Sequence, residues 1–166
     1  MNPLLQNLID QGFVTEEQAA YLADAIGKKH NIIISGHRGH GTLPLMATLG
    51  SVAQGAGKLK PVRNIANDLK DDSVTYYLIG DLKDVDFPSL LTDVLSTEQA
   101  SIITIKDAEH SFSVMKVLSD VFKAGGKVPA TYQVVECTKD ADEVKKIAKI
   151  VQIVQNEQGK LEKTTV

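Results

Sequence analysis

The sequence predicts a three-layer α/β fold, in which a mostly parallel sheet lies between two layers of helices. Apolar runs rich in β-branched or aromatic residues alternate with segments of helical periodicity along the chain. Strands that alternate with helices in this way usually pair in parallel. The run NIIIS at 31–35 contains three consecutive isoleucines, which is typical of a strand covered by helices on both faces.

Length and composition restrict the class of protein. The 166 residues suffice for one domain with a substantial core, and no repeat or linker divides them. The formal net charge of −3 gives no strong nucleic-acid signal, because nucleic-acid-binding domains normally carry an excess of Lys and Arg. No apolar run reaches the roughly 20 residues of a membrane span, and the N-terminus lacks a signal-peptide pattern. We therefore expect a cytoplasmic protein of one domain, residues 1–166.

The first 30 residues are predicted to form a helical lead-in. Apolar residues recur at helical spacing from Leu4 to Ile9, and Gly12 is well placed to end that helix. Thr15, followed by two glutamates and a glutamine, is a predicted N-cap for a second helix that runs to Gly27.

Residues 31–150 are predicted to form the α/β core. Strand 31–35 leads into a glycine-rich loop and a helix with Pro44 in its first turn. Further strands are predicted at 74–80, 100–105 and 132–137, with helices at 87–95 and 112–122 between them. Cys137 is expected inside the last of these strands, and a single cysteine excludes an internal disulfide bond.

The C-terminal segment permits two structures. Val144, Ile147, Ala148 and Val151 recur at helical spacing. The order IVQIVQ, a turn containing GK, and LEKTTV instead suits a β-hairpin. Residues 151–166 are therefore predicted to be either a hairpin at the sheet edge or a loose tail after a helix.

The segment GHRGHGTL matches the phosphate-binding pattern GxxxxGK[ST] at Gly36 and Gly41. In that pattern, backbone amides surround a phosphate at a helix N-terminus, the lysine neutralises its charge, and the hydroxyl binds magnesium. Thr42 stands at the lysine position here, and Leu43 stands at the hydroxyl position. The loop therefore keeps its glycines but loses both side chains, and a tight turn without a ligand is the alternative.

A carboxylate follows the predicted strand 74–80. The order YYLIGD puts Asp81 directly after that strand. Proteins with a phosphate loop use a carboxylate in this place to order magnesium or the attacking water. Asp81 is therefore the predicted partner of the glycine loop.

At these motifs the sequence resembles the secretion and pilus-retraction ATPases of type II secretion, type IV pili and type IV secretion. NIIISGHRGHGT is similar to their Walker A segment, in which N-L-I-S-G-x-T-G-S-G-K-T is typical. YYLIGDLKD is similar to their Walker B motif, with Asp81 at the glutamate position, Lys83 at the arginine position and Asp84 at the aspartate position. In the following strand and helix, Lys106 stands where the family has a histidine.

The resemblance implies a P-loop NTPase fold of the RecA-like type, in a minimal and truncated form. The interval between Leu43 and Tyr76 is too short for the extra strands and the acidic and arginine-bearing motifs of the family. The family's separate N-terminal domain is also expected to be absent. Lysine, magnesium hydroxyl, glutamate and histidine are all replaced, so the resemblance argues against ordinary ATP hydrolysis and leaves the catalytic residues unknown.

Two functions are therefore predicted, and they differ in whether a ligand binds. In the first, the domain is catalytically inactive and acts as a binding, assembly or regulatory module. The resemblance implies as its partner a second copy of the chain, or an active secretion, pilus or conjugation ATPase that it regulates or caps. An accessory protein of a phage or plasmid that mimics this fold to interfere with the ATPase would carry the same sequence signature.

In the second, the modified loop binds ATP or another nucleotide with magnesium, with weak or no ATPase activity. Arg38 would then replace the missing lysine charge, because a guanidinium binds phosphate bidentately. The candidate binding residues are Gly36, His37, Arg38, Gly39, His40, Gly41, Thr42 and Asp81.

The histidines are weighed separately. His37 and His40 could bind an anion, or they could join His110 in a metal site. A complete metal site needs a third ligand, and the sequence cannot place one near these two, so no metal site is predicted. His30 is expected at the surface.

Overall fold

The computed structural model of the protein describes residues 2–37, 39–63, 73–80, 87–95, 100–107, 113–125 and 128–166. The helices are α1 (Pro3–Asp10), α2 (Glu16–Gly27), α3 (Thr42–Ala56), α4 (Phe87–Leu95) and α5 (Val114–Lys123). The strands are β1 (Asn31–Gly36), β2 (Leu59–Pro61), β3 (Tyr76–Ile79), β4 (Ser101–Asp107), β5 (Ala130–Lys139), β6 (Lys145–Gln155) and β7 (Leu161–Thr165).

The described strands form one seven-stranded sheet in the order β2-β3-β4-β1-β5-β6-β7. The pairs from β2 to β5 are parallel, whereas β6 and β7 continue the sheet in antiparallel pairs. The predicted mostly parallel α/β sheet is confirmed. The edge strand β2 is missing from the sequence prediction, because three residues are too few for a periodicity.

Both faces of the sheet are covered by helices, as predicted for a three-layer fold. Ile32 and Ile34 of β1 pack with residues of α1, α2 and α3 on one face. Ile33, which points the other way, packs with residues of α4 and α5. All three isoleucines are at most 1% exposed, which explains why this strand has no polar alternation.

The helix start predicted at Thr15 has the expected cap. The Thr15 hydroxyl accepts a hydrogen bond from the backbone amide of Gln18, and the Gln18 side chain accepts one from the Thr15 amide, which completes a capping box. Asn2, which the sequence pattern does not predict as a cap, caps α1 by accepting hydrogen bonds from the Leu4 and Leu5 amides at its side-chain oxygen. The Thr15 cap depends on neighbouring residues alone, which is why the sequence predicts it.

The C-terminal segment adopts the hairpin, not the helix. β6 and β7 pair from Val151 with Thr165 to Gln155 with Leu161, and Gly159 takes a positive φ of 81° in the turn between them. Strand β6 begins at Lys145, so the boundary predicted at residue 150 falls inside this strand. Burial of alternate sides of β6 against the helices of both faces favours the strand over the helix.

A polar cluster lies between α2 and the sheet, next to His30. The Tyr21 hydroxyl donates to the side-chain oxygen of Gln133 at 2.7 Å, and Gln133 Nε2 donates to Gln152 Oε1 at 3.1 Å. His30 Nδ1 lies 3.2 Å from Gln133 Nε2. The expectation of an exposed His30 is therefore wrong, because its ring is half-buried and contacts this cluster.

We expect the folded protein to lose stability as the pH falls through the titration range of His30. Burial lowers the pKa of His30, and the charge of Lys28 adds to this effect, so the unfolded chain binds the proton more readily than the folded chain. Stability is then fully present above the unfolded pKa of about 6.5 and decreases as the pH falls below it. Thermal midpoints measured between about pH 7.5 and about pH 5 should show this decrease.

His30→Gln should reduce that pH dependence, because glutamine cannot be protonated and still offers an acceptor to Gln133. His37→Gln is the matched control, since His37 is exposed at the opposite end of β1. An unchanged pH profile in His30→Gln would contradict the assignment.

Candidate functional site

The glycine loop connects the carboxyl end of β1 to the first residue of α3. Strand β1 lies between β4 and β5, so the loop is at the centre of the sheet's carboxyl edge. His37 and Gly39 are exposed, His40 is half-buried, and Gly41 and Thr42 are buried. Arg38 and Asp81, both predicted site residues, lie outside the described residues.

Two glycines of the loop have left-handed backbone conformations. Gly39 has a φ of 85° and Gly41 has a φ of 87°, values that residues with a Cβ rarely adopt. The His40 amide donates to the His37 carbonyl at 3.1 Å, which closes the turn. Gly41 is the N-cap of α3 and provides no side-chain hydrogen bond to the first turn. The first-turn amides therefore have no side-chain acceptor from their N-cap, as an anion-binding turn requires.

Gly36 marks a close approach of three elements. A Cβ at this position would lie 3.0 Å from Thr42 Cγ2 of α3 and 3.1 Å from the Cys137 carbonyl oxygen of β5. The side chain at the lysine position is therefore packed against the end of β1 and is only 7% exposed. Thr42 stabilises the loop through this contact and brings no positive charge to it.

Cys137 is buried in β5, as predicted, and lies next to Gly36. Burial raises the pKa of its thiol to about 12, so the thiol stays protonated at neutral pH. A protonated buried thiol is a poor nucleophile and a poor metal ligand. The residue therefore contributes packing to the site.

Phe13 covers the loop and is absent from the sequence prediction. A Cβ on Gly41 would lie 2.5 Å from Phe13 Cε2, so the ring occupies the space next to this glycine. The Phe13 carbonyl accepts a hydrogen bond from the Ile147 amide of β6 at 2.9 Å. The lead-in thus connects the glycine loop to the C-terminal hairpin. The only sequence signal is an aromatic residue shortly before the Thr15 N-cap, where apolar residues often fix the entry of a helix.

The two loop histidines contact each other. Their ring centroids are 5.3 Å apart at an interplanar angle of 71°, an edge-to-face arrangement. Among the described residues, no three His, Cys, Asp or Glu side chains are close enough to hold a metal ion. His110, the third histidine considered for such a site, lies outside the described residues.

A cleft of about 400 Å³ lies beside the loop. Its walls come from α1, from Phe13 and Gly41, from Pro44, and from the β5–β6 turn at 143–145. Leu43, at the position of the magnesium-binding hydroxyl, is 61% exposed, and Val144 is 48% exposed. The arrangement therefore offers backbone amides and an apolar rim, while the hydroxyl ligand for magnesium is replaced by an alkyl side chain.

Comparison with solved structures reveals the same fold in two ATPases. The VirB11 ATPase from the Brucella suis type IV secretion system, solved in complex with sulphate, is similar with a TM-score of 0.60 at 14% identity over 88% of this chain. The Legionella pneumophila ATPase DotB is similar with a TM-score of 0.50 at 12% identity over 84% of this chain. No protein-family model matches the sequence, and no curated protein matches it.

The likeness is one of fold, and it covers part of each ATPase. The chain matches 54% of the VirB11 structure and 49% of the DotB structure. The predicted resemblance to secretion ATPases is thus confirmed at the level of the fold, as a distant relationship. None of the helices in the described ranges is long and apolar enough to cross a membrane.

Proposed function

We propose that this chain, which has the fold of the type IV secretion ATPases, is an ATPase-like domain that does not hydrolyse ATP and works as a binding or assembly module. One observation carries the proposal. The side chain at the lysine position, Thr42, is buried against Gly36, and the one at the magnesium-hydroxyl position, Leu43, is apolar and exposed.

Phosphoryl transfer depends almost entirely on positioning and charge stabilisation, so these two replacements remove its main components. A threonine cannot neutralise the charge on the β- and γ-phosphates, and a leucine cannot bind magnesium. Packing of Thr42 against Gly36 of β1 gives the replaced residue a structural role in place of the chemical one. The fold is retained while the chemistry is lost.

The module would act in the cytoplasm through its protein surface. Fold similarity to the VirB11 ATPase supports a partner of the same kind: a second copy of this chain, or an active secretion, pilus or conjugation ATPase that it regulates or caps. The exposed Leu43 in the first turn of α3 and the exposed Val144 at the cleft next to the loop supply apolar surface for such a contact.

A second candidate function is the binding of phosphate or a nucleotide without turnover. Gly39 and Gly41 keep the left-handed conformations, and the N-cap of α3 leaves its first turn without a side-chain acceptor. The VirB11 structure with a similar fold is a complex with sulphate, a tetrahedral anion like phosphate. Arg38, His37 and His40 would supply the positive charge, and ATP with magnesium would be the ligand, with Asp81 ordering the metal.

Calorimetric titration of ATP, with and without magnesium, separates the two functions. We expect no binding tighter than about 1 mM in the wild-type protein and no phosphate release above the buffer rate. Micromolar affinity that Arg38→Ala abolishes would contradict the first function and establish the second. Light scattering over a range of protein concentrations tests self-assembly, and a strict monomer at high concentration would leave only the heterologous partner.

A further inference from the structure

A second cleft, of about 330 Å³, lies on the opposite face of the sheet, beneath the start of α5. Among the described residues, six polar side chains line it: Ser35, Lys106, Ser113, Glu136, Lys149 and Lys163. We call it the lysine cleft. Neither the glycine loop nor the proposed function uses any of these residues.

Four of the six form a row across adjacent strands. Ser35 of β1 is the register partner of Lys106 on β4 and of Glu136 on β5. Glu136 is in turn the partner of Lys149 on β6, and their charged groups are 3.2 Å apart. Register partners project to the same face of a sheet, so the row crosses four strands at one level.

The floor of the lysine cleft is apolar. Val134, Val151 and Ile153 lie next to the polar row on β5 and β6, and Met115 of α5 forms part of the wall. Val151 and Ile153 belong to the core of this face. The cleft therefore combines a charged rim with an apolar base, as small-molecule sites do.

The described residues of the rim carry a positive charge. Among them three lysines stand against one glutamate, and the N-terminal end of α5, capped by Ser113, adds its positive dipole. The position of the lysine cleft in the sheet also favours the binding of a ligand. The cleft is at the carboxyl ends of β1 and β4, which are neighbours whose following helices, α3 and α5, pack on opposite faces. Open α/β sheets bind ligands in such crevices.

We propose that the lysine cleft binds a small amphiphilic anion, with a carboxylate or phosphate head group and a short apolar body. The head group is held by Lys106 and Lys149 beside the Ser35 hydroxyl, and Lys163 adds charge at the rim. The apolar body lies on Val134 and Val151. Glu136 pairs with Lys149 and carries a negative charge. It therefore repels the anion and weakens its binding.

The test compares ligands that share one alkyl chain and differ in the head group. Octyl phosphate, octanoate and octylammonium are titrated into the wild-type protein by calorimetry, with inorganic phosphate as the head group without a body. We expect octyl phosphate or octanoate to bind, octylammonium not to bind, and inorganic phosphate to bind at least about tenfold more weakly than octyl phosphate. The stronger of the two anions identifies the head group.

Two variants with opposite expected effects examine the charges. Lys106→Ala combined with Lys149→Ala should weaken the anion by about tenfold or more, because two charge-assisted contacts are lost. Glu136→Gln should tighten it by about threefold, because the opposing charge is removed. Lys146→Ala is the matched control, since Lys146 is an exposed lysine of β6 that does not line the cleft.

Binding of octylammonium as tight as that of the anions would overturn the proposal, as would a double lysine variant with wild-type affinity or the absence of binding by both anions. If the double variant does not fold, the head-group series and Glu136→Gln still decide. ATP titration of the same protein reports on the glycine loop. A failure of the proposal for the lysine cleft is therefore distinct from a failure of the function proposed for the loop.

Discussion

Gly41→Ala is expected to lower the free energy of unfolding by about 2–5 kcal/mol. An alanine at a φ of 87° is strained by about 1–2 kcal/mol, because its Cβ approaches the backbone. Its Cβ would also lie 2.5 Å from Phe13 Cε2, and overpacking of this kind costs about 1–3 kcal/mol. Urea denaturation should show a lower midpoint with an unchanged slope.

Gly39→Ala is the control for the backbone strain. Gly39 has a nearly equal φ of 85°, but a Cβ there would meet no atom within 4 Å. We expect Gly39→Ala to cost only the strain, and Phe13→Leu to recover part of the loss when combined with Gly41→Ala. Equal destabilisation by the two alanines would show that Phe13 does not close over the loop.

Thr42→Lys combined with Leu43→Ser is expected to tighten the binding of ATP with magnesium by about tenfold or more. The change returns the lysine and the hydroxyl to a loop whose glycines already have the required backbone conformations. Hydrolysis should stay at the buffer rate, because Asp81 and Lys106 remain at positions where the resembling family has glutamate and histidine. Calorimetry measures the affinity, and phosphate release measures the turnover.

Thr42→Met combined with Leu43→Ser is the matched control, since methionine has a length similar to lysine and no charge. It should leave the affinity for ATP close to that of the wild type. If the lysine variant folds and still gains no affinity, the packing of Phe13 and Thr42 around the loop excludes a phosphate. The binding of nucleotide as a second candidate function would then be untenable.

Contacts within the protein hold the glycine loop, and both predictions depend on them. The Phe13 ring packs on Gly41, and its carbonyl binds the Ile147 amide of the C-terminal hairpin. The Thr42 methyl packs on Gly36. Side chains of the lead-in and of α3 therefore hold the glycine loop in this structure.

The sequence alone determined the parts of the fold that depend on neighbouring residues. The isoleucine run of β1, the Thr15 capping box and the glycine turns each act within a few positions, so their patterns predict them. The replacement of the lysine by Thr42 and of the hydroxyl by Leu43 was also evident, because a motif has fixed spacing. The predicted loss of ATP hydrolysis therefore rests on the sequence, and it stays a prediction.

Only the tertiary structure decided what depends on pairing between distant segments. Residues 145–155 carry both helical and strand patterns, and the pairing of β6 with β5 selects the strand. The contact of Phe13 with Gly41 requires the packing of α1. The polar row through Ser35 requires the register of four strands. Sheet register brings together side chains whose separation along the chain has no fixed period, so no local pattern predicts these contacts.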